Sequence, residues 1–308
     1  MTIKHLVISG GGPTLFKSIG AVQELQKSGT WKIEEIESIY GTSAGGILGT
    51  LLCLKFDDWD MINDYIIKRP WNDAFPININ TIFDSFTRRG LFDRKVIEIF
   101  FKPLFAVKDI SLNITLNEFY EYSKIELHLF TFEINQFKEE DISYLTHPNL
   151  NLLTAIQMTM ALPIIVSPVC IDNKCYIDGG VVSNYPLNHC ISHGKNINEI
   201  LSFKNNYTNI EQYTINEESS LLDYIVSFLY RMLTHLSTEE KQEKVPNEVL
   251  YDATLMSLQY LNDVLTSQEV RRELVNSGIN SAKKFLELIN NNINNLNNDI
   301  IVSKQQFE

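Results

Sequence analysis

Apolar and polar positions switch between two periods along the first 55 residues. Residues 4–9 (KHLVIS) form a short apolar run ending in Gly10-Gly11-Gly12, the pattern of a buried strand entering a turn. Over 15–26 the spacing lengthens: Ile19, Val22 and Leu25 share one helical face, and Gly29 is placed to cap the helix. Residues 36–40 repeat the strand pattern up to Gly41, and 44–54 are apolar and rich in small residues, as in a helix pressed onto a sheet. Strand, glycine loop, helix, strand, tight turn, helix is the alternation of a parallel sheet covered by helices.

Beyond that unit, the pattern predicts helices over 59–68 and 94–101, with a polar, mixed stretch at 77–92 that shows no clear period. Strands are expected at 127–132 and 142–145, then a helix at 152–160 stopped by Pro163. Two more strands, 168–171 and 174–177, turn at Asp172-Asn173, a turn-forming pair, and Asp178-Gly179-Gly180 closes the second. A helix at 186–193 and a strand at 199–203 follow. After about residue 205 the chain turns polar and then shows helical stretches at 221–236, 248–265 and 269–289, the last running into an asparagine tract at 290–298. The expectation is a three-layer αβα domain with a mainly parallel central sheet over 4–205, plus a helical C-terminal extension over 206–308.

Composition narrows the function classes. The chain has 308 residues, 44% of them apolar, enough for a full core without a metal or disulfide staple. A net charge of −12 excludes the basic footprint of a nucleic-acid binder and purely electrostatic docking on anionic lipid. Membrane contact, if made, is apolar or local. No stretch reaches 18 uninterrupted apolar residues; the nearest, 221–236, is broken by Asp223, Arg231 and His235, so no transmembrane helix is expected. The first twelve residues are too short an apolar run for a signal peptide. Cys53, Cys170, Cys175 and Cys190 contain no CxxC spacing and read as reduced thiols of a cytoplasmic or intracellular protein.

Three short patterns carry candidate chemistry. Gly41-Thr42-Ser43-Ala44-Gly45 is a GxSxG sequence between a predicted strand and a predicted helix, the context of a nucleophile elbow. A serine there has an exposed hydroxyl on a strained turn, and Gly41 and Gly45 let neighbouring backbone pass close by. The second pattern is the run Gly10, Gly11, Gly12, whose amides can converge on an anion and form an oxyanion hole. Pro13 has no N–H, so the donors must be the glycines. The third is Asp178-Gly179-Gly180 at a strand end, where a carboxylate can act as general base for a serine.

Blander readings stand beside these. The glycine run could be a dinucleotide-binding turn, but Leu15 occupies the position where GxGxxG needs glycine. Ser43 could merely start a helix, and Asp178 could be a hairpin residue. A Ser-His-Asp triad would draw on His189, His193 or His235, which follow Ser43 in the required order, yet only two strands precede the elbow. His5, His128 and His147 read as surface or core residues. No HExxH spacing occurs, so neither zinc nor any other metal or cofactor is expected.

The order strand–GGG, strand–GTSAG–helix, strand–DGG resembles the patatin-like phospholipase family. Gly90-Leu91-Phe92-Asp93, the helix ending in a proline over Thr154–Pro163, and Asp178–Leu187 (DGGVVSNYPL) are similar to family blocks, and the resemblance spans about residues 4–205. It implies a lipid acyl hydrolase of phospholipase A or lysophospholipase type. Ser43 would be the nucleophile and Asp178 the base, with the amides of Gly10, Gly11 and Gly12 as the oxyanion hole and membrane or micellar lipid as substrate. The family usually has a basic residue just after its glycine run; here Pro13-Thr14-Leu15-Phe16 follows and the next cation is Lys17. That departure keeps a second reading open, a catalytically inactive lipid-binding or protein-interaction module on the same fold. The face formed by Trp59, Met61, Ile62, Tyr65 and Ile66 is expected to be core rather than a lid over the acyl pocket, and the 221–236 helix is expected to be buried rather than membrane-facing.

Overall fold

The structure is a computed structural model that describes residues 2–207, 215–239, 243–254 and 256–305. β1 (His5–Ile8) leads through a tight 3-10 turn at Gly12–Thr14 into α1 (Leu15–Lys27), and β2 (Ser38–Thr42) runs directly into α2 (Ala44–Cys53). Next come α3 (Trp59–Lys68), α4 (Trp71–Ala74), α5 (Ile79–Arg88), β3 (Gly90–Phe92), α6 (Arg94–Val107) and α7 (Leu116–Ser123). β4 (Glu126–Glu133), β5 (Lys138–Ile142), α8 (Leu152–Met160), β6 (Ile164–Val166) and the hairpin β7 (Val169–Ile171) and β8 (Lys174–Asp178) form the middle. α9 (Leu187–Ser192), β9 (Ile200–Asn206), α10 (Leu221–Glu239), β10 (Asn247–Asp252), α11 (Leu258–Thr266) and α12 (Gln268–Gln305) complete the chain.

The main sheet has the order β10-β9-β1-β2-β4-β8-β7, with β5 also on β4. Its first five strands are mutually parallel, while β5, β7 and β8 pair antiparallel. β4 outruns β2: Thr42 is level with Phe130, and β4 continues to Glu133. β5 occupies one edge of β4 from Leu129 to Glu133, so β8, paired with Thr131–Glu133, must lie on the other edge, in line with β2. A strand has only two edges, and β2 and β8 therefore meet head to head along the same edge of β4. The C-terminal residues of both strands point into one gap.

Alternation along the strands divides the core. Leu6, Ile8, Ile39, Leu127 and Leu129 face the larger cluster, with α1, α2 and α8. Val7, Tyr40 and Phe130 face a smaller cluster under α9. This is the three-layer αβα arrangement that the sequence pattern predicts, with unequal outer layers.

The chain beyond residue 205 departs from the helical extension expected of it. Part of the 248–265 stretch is β10, which adds a parallel strand to β9, followed by the shorter α11. Val249 and Tyr251 are buried while Leu250 and Asp252 are exposed, a period of two that favours strand once an edge is available. α12 lies against α1, and two glycines set the closeness: a Cβ on Gly20 would sit 2.0 Å from Val275 O, and one on Gly278 would sit 1.9 Å from Lys17 O. Gly278→Ala should therefore push the helices apart and destabilise the protein by about 2–3 kcal/mol, read as a lower Tm in thermal denaturation.

Three other expectations change. Residues 77–92 contain α5, capped by Asn78, and their period is real: Ile79, Ile82, Phe83 and Phe86 fall at i, i+3, i+4 and i+7. This stripe is largely unburied, with Phe83 66% and Phe86 81% exposed. α10 buries Val226 and Tyr230 but exposes Leu221, Tyr224, Phe228 and Met232, so it is not buried all round. Cys170 and Cys175, expected as thiols, form a disulfide across the β7–β8 hairpin, because the register sets them directly opposite each other. Cys53 and Cys190 are buried free thiols. On α3, Ile62 and Ile66 are core, as expected, and Trp59 and Tyr65 are half-buried against it, but Met61, expected in the core, is exposed.

Candidate active site

Ser43 sits between β2 and α2 with φ 54° and ψ −121°, a backbone conformation that a non-glycine residue holds only at a cost of about 1–3 kcal/mol. The elbow closes because two neighbours lack side chains. A Cβ on Gly45 would lie 2.1 Å from Ile8 O, and one on Gly41 would lie 2.6 Å from the Gly45 backbone. The Ser43 amide donates to Thr159 Oγ1 at 2.9 Å, and that hydroxyl donates to Phe130 O at 2.6 Å. The turn is thereby anchored to α8 and β4.

Asp178 arrives at the same gap as the last residue of β8. It is 4% exposed, and its Oδ1 accepts from Gly180 N at 2.8 Å. Its backbone N–H donates to Ala161 O at 3.0 Å, and its carboxyl lies near enough to Ser43 to feel that side chain. Burial pushes the carboxyl up from 3.8 to about 6, against the opposing pull of the Ser43 side chain and the Gly180 amide. Gly179 is required where it stands, because a Cβ there would meet Phe130 O at 2.3 Å. The Asp178 loop is stitched to the elbow by Thr42 Oγ1 donating to Ser183 O at 2.8 Å.

The glycine loop lies beside this pair, but its three amides are not equivalent. Gly10 N donates to Asn184 O at 2.8 Å, which corrects the expectation that Gly10 is an oxyanion donor: the loop after Asp178 rests on it and occupies its N–H. Asn184 Nδ2 and Asn205 Nδ2 both donate to Gly10 O, which locks the loop from the other side. Gly11 and Gly12 face the cavity, as does Ala44 at the start of α2, and among the described residues no turn or loop carbonyl accepts from their amides. Pro13 opens the 3-10 turn that aims this backbone.

Above the pair is a cavity of about 180 Å³ with an almost wholly apolar wall, including Trp71, Phe75, Phe100, Leu162 and Leu265. The polar side chains on it are those of Ser43, Asp178, Asn184, Tyr207 and Tyr230. The hydroxyls of half-buried Tyr207 and buried Tyr230 are 3.4 Å apart, with Asn205 Nδ2 donating to the Tyr207 hydroxyl at 3.0 Å; desolvation raises the pKa of Tyr207 and pushes that of Tyr230 well up. Among the described residues, no lysine, arginine or histidine lines the cavity. Lys17, the first cation after the glycine loop, is buried and turned away, donating to Asp252 O. His189 pairs with Glu139 and His193 with Tyr40, away from the cavity, and the His235 side chain lies outside the described residues.

Sequence reasoning found Ser43, Asp178 and the glycines, and the structure brings them together. It passed over Thr159 and Asn184, which lie inside segments already singled out, and over Tyr207, Tyr230 and Asn205, which carry no motif. Tyr230, Met256 and Leu261 show that the chain beyond 205 forms part of the wall.

The parallel sheet, the elbow and the head-to-head strands define an α/β fold of the patatin type. The sequence model of the patatin-like phospholipase family matches residues 6–191, and the chain belongs to that family. It is 30% identical over 192 residues to "Probable lipid hydrolase 463L" of Invertebrate iridescent virus 6, a match covering 62% of this chain and 64% of the relative. It is 26% identical over 187 residues to an uncharacterized protein of Acanthamoeba polyphaga mimivirus, covering 60% of each. The chain thus spans somewhat under two thirds of these relatives. Among solved structures, VipD from Legionella pneumophila superposes with a TM-score of 0.54 at 15% identity, over 93% of this chain and 67% of VipD, a likeness of fold.

Proposed function

We propose that the protein hydrolyses the carboxylic esters of lipids, as a phospholipase A or lysophospholipase, with Ser43 as nucleophile and Asp178 as general base. The observation that carries this reading is a buried carboxyl of raised pKa beside a serine on a strained elbow, both lining one apolar cavity. Ser43 Oγ attacks the acyl carbonyl while Asp178 takes its proton. The amides of Gly11, Gly12 and Ala44, which line the cavity, would receive the tetrahedral oxyanion, aided by the positive end of α2. Collapse expels the alcohol, which receives the proton from Asp178. Water, deprotonated by the same carboxylate, then attacks the acyl-enzyme and releases the fatty acid. The apolar wall takes the acyl chain, and the exposed aromatic residues of α5 and α10 offer apolar contact with a membrane or micelle. No described helix is long and apolar enough to cross a membrane.

A serine-directed fluorophosphonate tests the reading directly. Labelling should map to Ser43 and be absent in Ser43→Ala. An unlabelled wild type that still binds lipid would instead favour the inactive binding module.

The missing cation carries a second expectation. With only hydroxyls, amides and the Asp178 carboxyl among the described polar groups of the wall available to a head group, phosphate should add little to transition-state binding. A lysophospholipid and a monoacylglycerol with the same acyl chain should differ in kcat/KM by less than about tenfold, or about 1.4 kcal/mol. A preference of several hundredfold for the phosphate ester would show that a cation enters the site in the bound state.

A further inference from the structure

On the opposite face of the sheet, under the end of α9, three metal-ligand side chains converge from three elements. His128 lies on β4, Asp141 on β5, and His193 directly follows α9. One ligand atom from each lies within 4.8 Å of the others. We propose that these residues form a binding site for a divalent transition cation of the zinc type, which clamps α9 to the sheet.

The arrangement around them is that of a prepared site. His128 is 2% exposed, and its ring stacks on Tyr40 at 4.4 Å and 5°, which fixes its orientation. His128 Nδ1 is 2.8 Å from Asp141 Oδ2. Two buried atoms have no hydrogen-bond partner: Asp141 Oδ1 and His128 Nε2. A cation between His128 Nδ1 and Asp141 replaces the proton they share and draws on the unused carboxylate oxygen. It also leaves a proton on His128 Nε2, which faces Glu126 Oε2 at 3.8 Å. The Tyr40 hydroxyl holds His193 Nδ1 at 3.1 Å. A metal-bound imidazole commonly donates its other N–H to a carboxylate, the role Glu126 would take on closing from 3.8 Å.

Charge favours the same occupant. Asp141, Glu126 and Glu139 supply carboxylates around the cluster, against Lys195, which is paired with Glu126 at 3.0 Å, and His189, which is paired with Glu139 at 3.0 Å. Two imidazoles and one carboxylate suit zinc better than calcium or magnesium, which prefer oxygen ligands. Tetrahedral coordination at about 2.0–2.1 Å sets ligand atoms about 3.3 Å apart, so the His128–Asp141 contact, now 2.8 Å, must open slightly while the widest separations in the cluster, up to 4.8 Å, close. His193 is exposed, which gives an entry path and a free position for water. None of the three residues lines the cavity that holds Ser43, so the role is structural. The expectation of no zinc came from helical HExxH spacing, whereas positions 128, 141 and 193 are joined only by sheet pairing and the α9 crossover.

The test uses the full chain without a histidine tag, stripped with chelator and titrated with Zn²⁺ by calorimetry and thermal denaturation. One equivalent should bind, with a Tm rise of about 5 °C at saturating metal, and Co²⁺ should give the visible bands of a tetrahedral site. His193→Gln, an exposed position, should weaken binding by at least about 100-fold and abolish the Tm rise. His147→Gln, which removes the imidazole beside Glu140, should leave binding unchanged. Absence of binding in wild type, equal binding by wild type and His193→Gln, or loss in His147→Gln alone would overturn the proposal. Ester hydrolysis should survive chelation, so the outcome is independent of the Ser43 chemistry.

Discussion

Replacing Ser43 with alanine should lower kcat/KM for ester hydrolysis by about 10⁴-fold or more while leaving the protein folded. The size follows from losing the proposed nucleophile, since what would survive is only what an oxyanion site and substrate binding give to a water attack. Folding should be spared because the elbow is held by contacts that do not use the Ser43 hydroxyl. These are the Ser43 amide on Thr159, the Thr42 hydroxyl on Ser183 O, and the close packing at Gly41 and Gly45. Far-ultraviolet circular dichroism and Tm of the variant should match wild type. Activity that persists in the alanine variant would place the chemistry elsewhere in the molecule.

Asp178→Asn should move activity and stability in opposite directions. Removing the proposed base should cost about 10²–10⁴-fold in kcat/KM. Stability should rise, because the folded protein holds this carboxyl at about 6 against an ordinary value of 3.8. A carboxyl raised on folding favours the folded state most at low pH, and that contribution is lost as pH climbs through about 6. Above pH 7 the ionised group then costs the wild type about 3 kcal/mol. Asparagine fills the same space without charge, so its Tm should exceed wild type by about 5–10 °C at pH 8 and match it near pH 4. The same group sets the pH dependence of the wild type: kcat/KM should fall below an apparent pKa of about 6 as the base is protonated. Equal Tm values for the two proteins across this range would mean that Asp178 is solvated and its pKa ordinary.

The two helices with outward apolar stripes show where pattern reading has its limits. Ile79, Ile82, Phe83 and Phe86 lie at helical spacing inside a stretch that reads as mixed and without a clear period, and that face stays largely unburied. Spacing reports which residues share a face, and it is silent on whether anything packs there. In the 248–265 stretch the error ran the other way. Val249 and Tyr251 alternate with exposed residues only because the free edge of β9 was open to them. A strand needs a partner that local sequence does not display.

What the sequence alone determined are features whose physics is local. Glycines at 41 and 45 flanking Ser43 dictate a turn that other residues would clash in, and the strand-to-helix change of period places that turn at a sheet end. The αβα class follows from the same alternation. Tertiary structure decided the rest. β4 outrunning β2, with β8 antiparallel in line with it, is what delivers Asp178 to Ser43 across 135 residues of chain. Contact of the same loops gave the Gly10 amide to Asn184 and left Gly11 and Gly12 facing the cavity. The pKa of Asp178, the enclosing tyrosines and the His128–Asp141–His193 cluster all depend on burial and on convergence of distant segments. Those are properties of the packed chain, because desolvation and proximity exist only once the layers have closed.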